Sequence, residues 1–291
     1  MRIIITVGFF FLPGFVSFSQ KVNGKLKLEQ GQTVNISMQM KSFITQQAGG
    51  QAIDFSVEAT GDHAYKVTNA TADNNTLHHK FQAMNFKFDG WGRKINFDSK
   101  NESDLNGMFG KPIKEVLEKT YDMIIDSNGK VLMVLPEKIQ LSESDSRMAI
   151  VNNLLKDIFD LVQPPQKGKA SFFKVLPDNE AGKGDAWTTS QEINGGKEDA
   201  AFAISDINDS TIVVEFAKNS TTVVKAEMMG AETITTMNHK STGKIILDRI
   251  TGIIKEKNET IESSGNNVSS FGTLPVTSKT TVTITVRPAL Q

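Results

Sequence analysis

From Lys25 onward, apolar and polar residues alternate along the chain. Leu26 and Leu28 interleave with lysines before a turn at Gln30-Gly31, and Val34, Ile36, Met38 and Met40 then alternate with polar neighbours. A period of two marks strands with one buried and one wet face. After a turn at Gly49-Gly50 the pattern resumes at Ile53, Phe55 and Val57. Gly61-Asp62 interrupts it before Tyr65 and Val67 continue. Leu77 to Phe88 predicts a further strand that turns at Asp89-Gly90, and Ile95 and Phe97 follow. The economical arrangement of such strands is an antiparallel meander.

Helical spacing occurs in two places. Pro112 stands where a first helical residue belongs, and Ile113, Val116 and Leu117 recur at helix spacing up to Thr120. The second is stronger. Ser142 to Asp145 supply capping residues, and Met148, Val151, Leu155, Ile158 and Val162 form one stripe, widened by Leu154 and Phe159 and stopped by Pro164-Pro165. A helix this apolar on one side must lie on a sheet. Strand character then resumes at Thr211–Phe216, Lys244–Leu247 and Thr280–Val286. Ser263 to Thr273 is rich in Gly, Asn and Ser and predicts a mobile loop.

Two stretches echo one another. Glu29-Gln30-Gly31-Gln32-Thr33 and Lys183-Gly184-Asp185-Ala186-Trp187 each open a long strand. Ile124-Ile125-Asp126-Ser127-Asn128-Gly129 and Ile246-Leu247-Asp248-Arg249-Ile250-Thr251-Gly252 share an apolar pair, an Asp and a following Gly. The first of these is a hairpin turn by its Asn-Gly pair. The expected fold is therefore mainly β with a few helices (α+β). Two similar antiparallel β-rich halves, residues 20–140 and 166–291, are joined by an amphipathic helix within 141–165 and form a curved sheet or half-barrel.

Residues 1–19 stand outside this pattern. Arg2 is the only charge before Lys21, and Ile3 to Phe18 is almost continuously apolar. A positive tip, an apolar core and a small-residue exit are the pattern of a removable secretory signal, with cleavage expected after Ser19. The protein is expected to be exported, periplasmic or secreted. It contains no cysteine. That excludes a lipid-anchored lipoprotein, disulfides, thiolate metal sites and a cysteine nucleophile. Lys and Arg number 32 against 33 Asp and Glu, well mixed along the chain. Such a balance offers no footprint for nucleic acid and no polybasic membrane patch. No second apolar run of spanning length follows the signal. Two Trp and two Tyr are too few for the aromatic girdles of an outer-membrane barrel.

Candidate chemistry is sparse. The four histidines are His63, His78, His79 and His239. None lies at chelating spacing, and adjacent His78 and His79 point to opposite faces of a strand, so solvated or strand-edge positions are expected. No GxSxG elbow is present in the mature chain, and Asp126-Ser127-Asn128-Gly129 fits a hairpin better than a calcium loop. The reading assigns no catalytic residue, no cofactor and no metal. What remains is apolar: Phe81, Met84, Phe86, Phe88, Met108 and Phe109. Alternation puts Met84, Phe86 and Phe88 on one face and Phe81 on the other. The first three are the candidate lining of an apolar-ligand cavity, against the rival of a filled core.

Certain short motifs carry a family resemblance. The signal ending in Phe18-Ser19-Gln20 resembles those of Bacteroidota. Phe173-Lys174-Val175-Leu176-Pro177 with Lys183-Gly184-Asp185-Ala186-Trp187 resembles the "LP…VGDSW" element of an uncharacterised exported family of that phylum, and Leu28 to Thr33 resembles its opening. Val34 stands where that family usually has an aromatic residue. More distantly, the chain is similar to the lipoprotein-carrier and lipoprotein group, whose curved half-barrel is closed by helices over an apolar cavity. The resemblance implies a non-enzymatic envelope protein holding a lipid or other apolar molecule. Two rivals stay open: a structural or partner-binding envelope module with a filled core, and a hydrolase with a His beside a Ser or acid in a cleft.

Overall fold

Alternation from Thr33 onward is realised as unusually long strands. We describe a computed structural model covering residues 20–90, 92–139, 155–193, 195–228, 231–270 and 272–289. The strands are β1 (Lys21–Val22), β2 (Thr33–Ala48), β3 (Gln51–Ala70), β4 (Asn74–Gly90), β5 (Arg93–Asp98), β6 (Thr120–Asp126), β7 (Val131–Leu135) and β8 (Ala181–Gly182). They continue as β9 (Ala186–Ile193), β10 (Gly196–Ile207), β11 (Thr211–Met228), β12 (Ala231–Asp248), β13 (Ile254–Ser269) and β14 (Gly272–Ala289). Short helices α1 (Glu102–Leu105), α2 (Gly110–Glu118) and α3 (Lys156–Phe159) complete the described elements. None is long and apolar enough to cross a membrane.

The main sheet is antiparallel throughout and runs β7-β6-β4-β3-β2-β14-β13-β12-β11-β10-β9, with β5 beside the far part of β4. It is open and curved, not a closed barrel. Each half is a meander, and β14 joins them by pairing with β2, from Val276↔Gln46 to Ala289↔Thr33. Inward residues such as Val34, Ile36, Val214, Ile245 and Ile284 are buried, while Lys41, Glu58, Lys87, Glu215, Lys240 and Lys279 face solvent.

The repeat seen in the sequence is a repeat in hydrogen bonding. Gly31 N donates to Val67 O and Val67 N to Gln32 O; in the second half Gly184 N donates to Ile204 O and Ile204 N to Asp185 O. Asp126 Oδ1 accepts from the amides of Asn128 (2.9 Å) and Lys130 (2.8 Å). Asp248 Oδ1 does the same for Ile250 (3.1 Å) and Thr251 (2.9 Å). Gly129 and Gly252 close these turns at φ of 85° and 71°, a region open to glycine at little cost. The segment before β2 then ties the two turns together. Leu26 N donates to Ser127 O (2.7 Å) and Lys27 N to Thr251 O (2.9 Å).

Three expectations are corrected. Gly61-Asp62 is not an interruption but the middle of β3. A Cβ on Gly61 would sit 2.5 Å from Ile158 Cγ2, so the glycine admits α3 against the strand. Residues 263–269 and 272–273 are strand, not loop: Ser263, Gly265 and Asn267 pair with Ser278, Val276 and Leu274. The ladder needs only backbone groups and long neighbours, so weak side-chain propensity is overridden there. The third concerns Phe81. Asp62 pairs with Ala83 and His63 with Phe81, which leaves Gln82 as the extra residue of a β-bulge. The bulge resets the alternation and brings Phe81 to the same face as Met84, Phe86 and Phe88. As for the predicted connecting helix, residues 140–154, including Met148 and Val151, lie outside the described residues. Leu155, Ile158 and Val162 of its stripe are buried against the sheet.

Candidate functional site

The inner face of the sheet is divided into two chemically different regions. In the first half it is apolar and covered. Met84, Phe86 and Phe88 lie there at 1%, 4% and 8% exposure. Phe86 stacks on Phe97 of β5 at 5.3 Å and meets Phe109, just before α2, edge-on at 5.5 Å. Phe88 leans on Phe55 at 6.1 Å. A ligand reaching Phe86 has to displace Phe97 and Phe109, which the excursion through β5, α1 and α2 packs on it.

Beneath α3 lies a buried polar cluster built by β3, β4 and β6. The register aligns His63 with Phe81, Tyr65 with His79, and His79 with Tyr121. His63 Nε2 donates to Ile158 O (3.3 Å), which leaves its Nδ1 to accept from His79 Nε2 (3.1 Å). Tyr65 donates to the Tyr121 oxygen (2.8 Å), and Tyr121 donates to Leu161 O (3.2 Å). His79 also stacks on Tyr121 at 4.5 Å, and its Nδ1 is buried with no partner among the described residues. Burial lowers His63 to a pKa of about 4, and burial, then the neighbouring histidines, lower His79 to about 3. Both tyrosines are raised, by burial first. At neutral pH the cluster is uncharged. Its two carbonyl contacts fasten residues 155–162 to the sheet. Solvated histidines were expected; only His78 fits, exposed and bonded to Asp122 at 2.8 Å. The bulge at Gln82 and the overlying segment bury His63 and His79.

In the second half the same face is apolar at Val214, Ile245 and Leu247 and becomes polar beyond Phe216. Glu259 of β13 takes Lys218 of β11 on one oxygen (3.1 Å) and Lys257 on the other (2.7 Å). Both ammonium groups lie over the Phe216 ring, at 5.1 and 5.3 Å from its centroid. Glu259 is 8% exposed and each lysine side chain 19%. Burial raises Glu259, but Lys257 and Lys218 together hold it below the usual carboxylate range. Burial, then repulsion from Lys218, lowers Lys257 against the pull of Glu259 and of Asp157 on α3. Further toward the hairpin tips, His239 bonds Ser263 (2.8 Å) and Thr222 (3.0 Å), and Ser42 bonds Thr280 (2.8 Å). Thr222, Met237, Ile261 and Val276 stay half-buried although they face inward.

The Ser263–His239 pair is the nearest approach to a nucleophile and base. Strands on both sides of β13 engage its backbone amides, so no adjacent pair of N–H groups is free to receive an oxyanion. Among the described residues no group of three or more His, Asp or Glu converges as a metal site. Sequence reasoning missed Lys218, Lys257 and Glu259. Their one trace is Lys218 two positions from Phe216, an inward charge in a β-branched run.

Residues 72–254 match the model of a family described only as of unknown function, DUF6263. No protein of curated function matches the chain in sequence. Among solved structures, the chain is similar to the protein in a study of lipid–protein interactions in lipovitellin, at 13% identity and a TM-score of 0.49. The alignment covers 91% of this chain but only 26% of that one, so the chain spans about a quarter of it. An outer-membrane channel from Pseudomonas putida F1 aligns over 90% of this chain and 98% of its own, at 8% identity and a TM-score of 0.28.

Proposed function

The chain belongs to DUF6263, a family of unknown function, and we propose that it is a non-enzymatic, exported envelope protein that holds an apolar-tailed ligand on the inner face of its second half. One observation carries this reading. Toward the hairpin tips of the second half, inward Met237, Ile261 and Val276 remain half-buried, whereas its base, at Val214, Ile245 and Leu247, and the first half at Phe81 and Met84 are sealed. A concave, partly apolar surface with a few convergent polar groups is the usual character of a small-molecule site. Support for export is the charge-tipped apolar run of residues 1–19. Support for a non-enzymatic role is the lack of free oxyanion donors beside Ser263.

The packing of Phe86 and Phe88 favours a second reading, in which the core is filled throughout and the protein serves as a structural or partner-binding module. Native mass spectrometry separates the two. Full-length chain, expressed with its own leader and purified gently from the soluble fraction, is expected to begin near Gln20 and to carry an adduct that organic solvent removes. A mass beginning at Met1 would overturn export. A bare mass, with no binding of a fluorescent fatty-acid probe, would favour the filled module.

A further inference from the structure

Two lysines reach inward on the second half, and they are not equally neutralised. Glu259 gives one oxygen to each. Lys257 has a second acidic neighbour, Asp157 on α3. Among the described residues Lys218 has only its half-share of Glu259, and it lays its stem and one face of its charge on Phe216. An ammonium carries three donors, and a cation held mostly out of water with one shared carboxylate is under-compensated. The register extends from this cation along one row of the inner face: Lys218 to Ser241, Ser241 to Ile261, Ile261 to Thr280 and Thr280 to Ser42. Beyond that row, toward the hairpin tips, Met237 and Val276 stay half-buried, as does Ile44 of the adjoining β2, where the first half meets the second. The polar groups among them, His239, Ser263 and Thr222, bond one another, so an alkyl chain laid across them covers at most one hydroxyl hydrogen that these bonds leave over.

Building on the ligand reading above, we propose that the occupant is a single-chain anionic amphiphile, a long-chain carboxylate, whose head group sits on Lys218 and whose tail runs along Ile261, Ile44 and Val276. The carboxylate completes the donors of Lys218 and offsets the repulsion between the two lysines. The tail covers apolar surface that the fold leaves partly wet, each methylene adding to affinity. A neutral alcohol of the same length gains the second term without the first.

Three probes test this on the full chain after removal of its leader, by isothermal titration: dodecanoate, 1-dodecanol and inorganic phosphate. Dodecanoate is expected to bind about tenfold tighter than dodecanol, the worth of one charge-assisted hydrogen bond, and phosphate to show no measurable binding. Lys218→Gln is expected to remove that preference, bringing dodecanoate and dodecanol to the same affinity, and Lys218→Arg to retain it. Thermal melting checks that both variants fold. If Lys218→Gln does not fold, the preference of the wild type and its retention in Lys218→Arg carry the test. Equal affinity for dodecanoate and dodecanol would overturn the head-group seat and leave the ligand reading standing. Phosphate binding as tight as dodecanoate would overturn the amphiphile in favour of a simple anion site. Absence of binding by either chain would overturn both.

Discussion

Between β4 and β6 the first half makes a long excursion through β5, α1 and α2, whereas β11 passes to β12 through residues 229–230 alone. The two halves otherwise share their turns, their inward period and their closing bonds. Against the excursion lie Met84 and Phe86, the latter stacked on Phe97 of β5, large apolar side chains whose exposure costs about 25 cal/mol for each Å². At the corresponding height in the second half lie Lys218, Glu259, Ser241 and Ser263, which bond one another or remain partly wet. An apolar inner face requires a cover and a self-satisfied polar one does not. The repeated backbone plan thus tolerates a sealed side and an open side in one sheet.

The contrast is broken most directly by truncation. Phe81→Ala, at a site with 0% exposure packed on His63 at 4.6 Å and Phe159 at 6.1 Å, is expected to cost about 3–5 kcal/mol. Val276→Ala, half-buried in the second half, is expected to cost under about 1 kcal/mol. Urea denaturation reads both, and equal losses would mean that the second half is as tightly packed as the first.

Acid comes next in size. His63 and His79 are neutral in the folded chain with pKa values of about 4 and 3, against 6.5 when unfolded. Below pH 6.5 the unfolded chain gains protons that the folded chain refuses, so stability is full above that pH and falls toward pH 4, then 3. The slope is up to about 1.4 kcal/mol per pH unit for each ring. His79→Phe keeps a ring over Tyr121 and is expected to flatten the slope between pH 6.5 and 4. Hydrogen exchange at pH 4.5 is expected to show opening at β3, β4 and residues 155–162 before β11 and β12. Uniform loosening across the sheet would show that the histidine cluster is not what distinguishes the halves.

The smallest effects sharpen the likeness. Asp126→Ala and Asp248→Ala each remove two backbone N–H acceptors from equivalent turns and are each expected to cost about 1–2 kcal/mol. Melting midpoints that move together support a shared closing device; a shift in one alone would show that the segment at Leu26 and Lys27 leans on a single turn.

Much of this was legible in the residues. Inward alternation at Val34, Ile36, Met38 and Met40, the Asp126 hairpin, and the echo between Gly31 and Gly184 all lead to a curved, mainly antiparallel sheet of two halves. The site was less so. Lys257, Glu259 and Ile261 alternate with Glu256, Asn258 and Thr260, so either set fits the wet face, and only pairing with Ile245 and Gly243 assigns the first set inward.

The sequence by itself determined the strand period, the turn positions and the mainly β class, because these depend on neighbours two to four residues apart. Only the tertiary structure decided which histidines are buried, which side Phe81 takes, and that three charges from β11 and β13 meet on one aromatic ring. A single extra residue at Gln82 inverts a face, and Gly61 acquires its purpose only when Ile158, 97 positions later in the chain, arrives against it. Burial and charge pairing are properties of what lies across the sheet, and alternation along one strand carries no record of it.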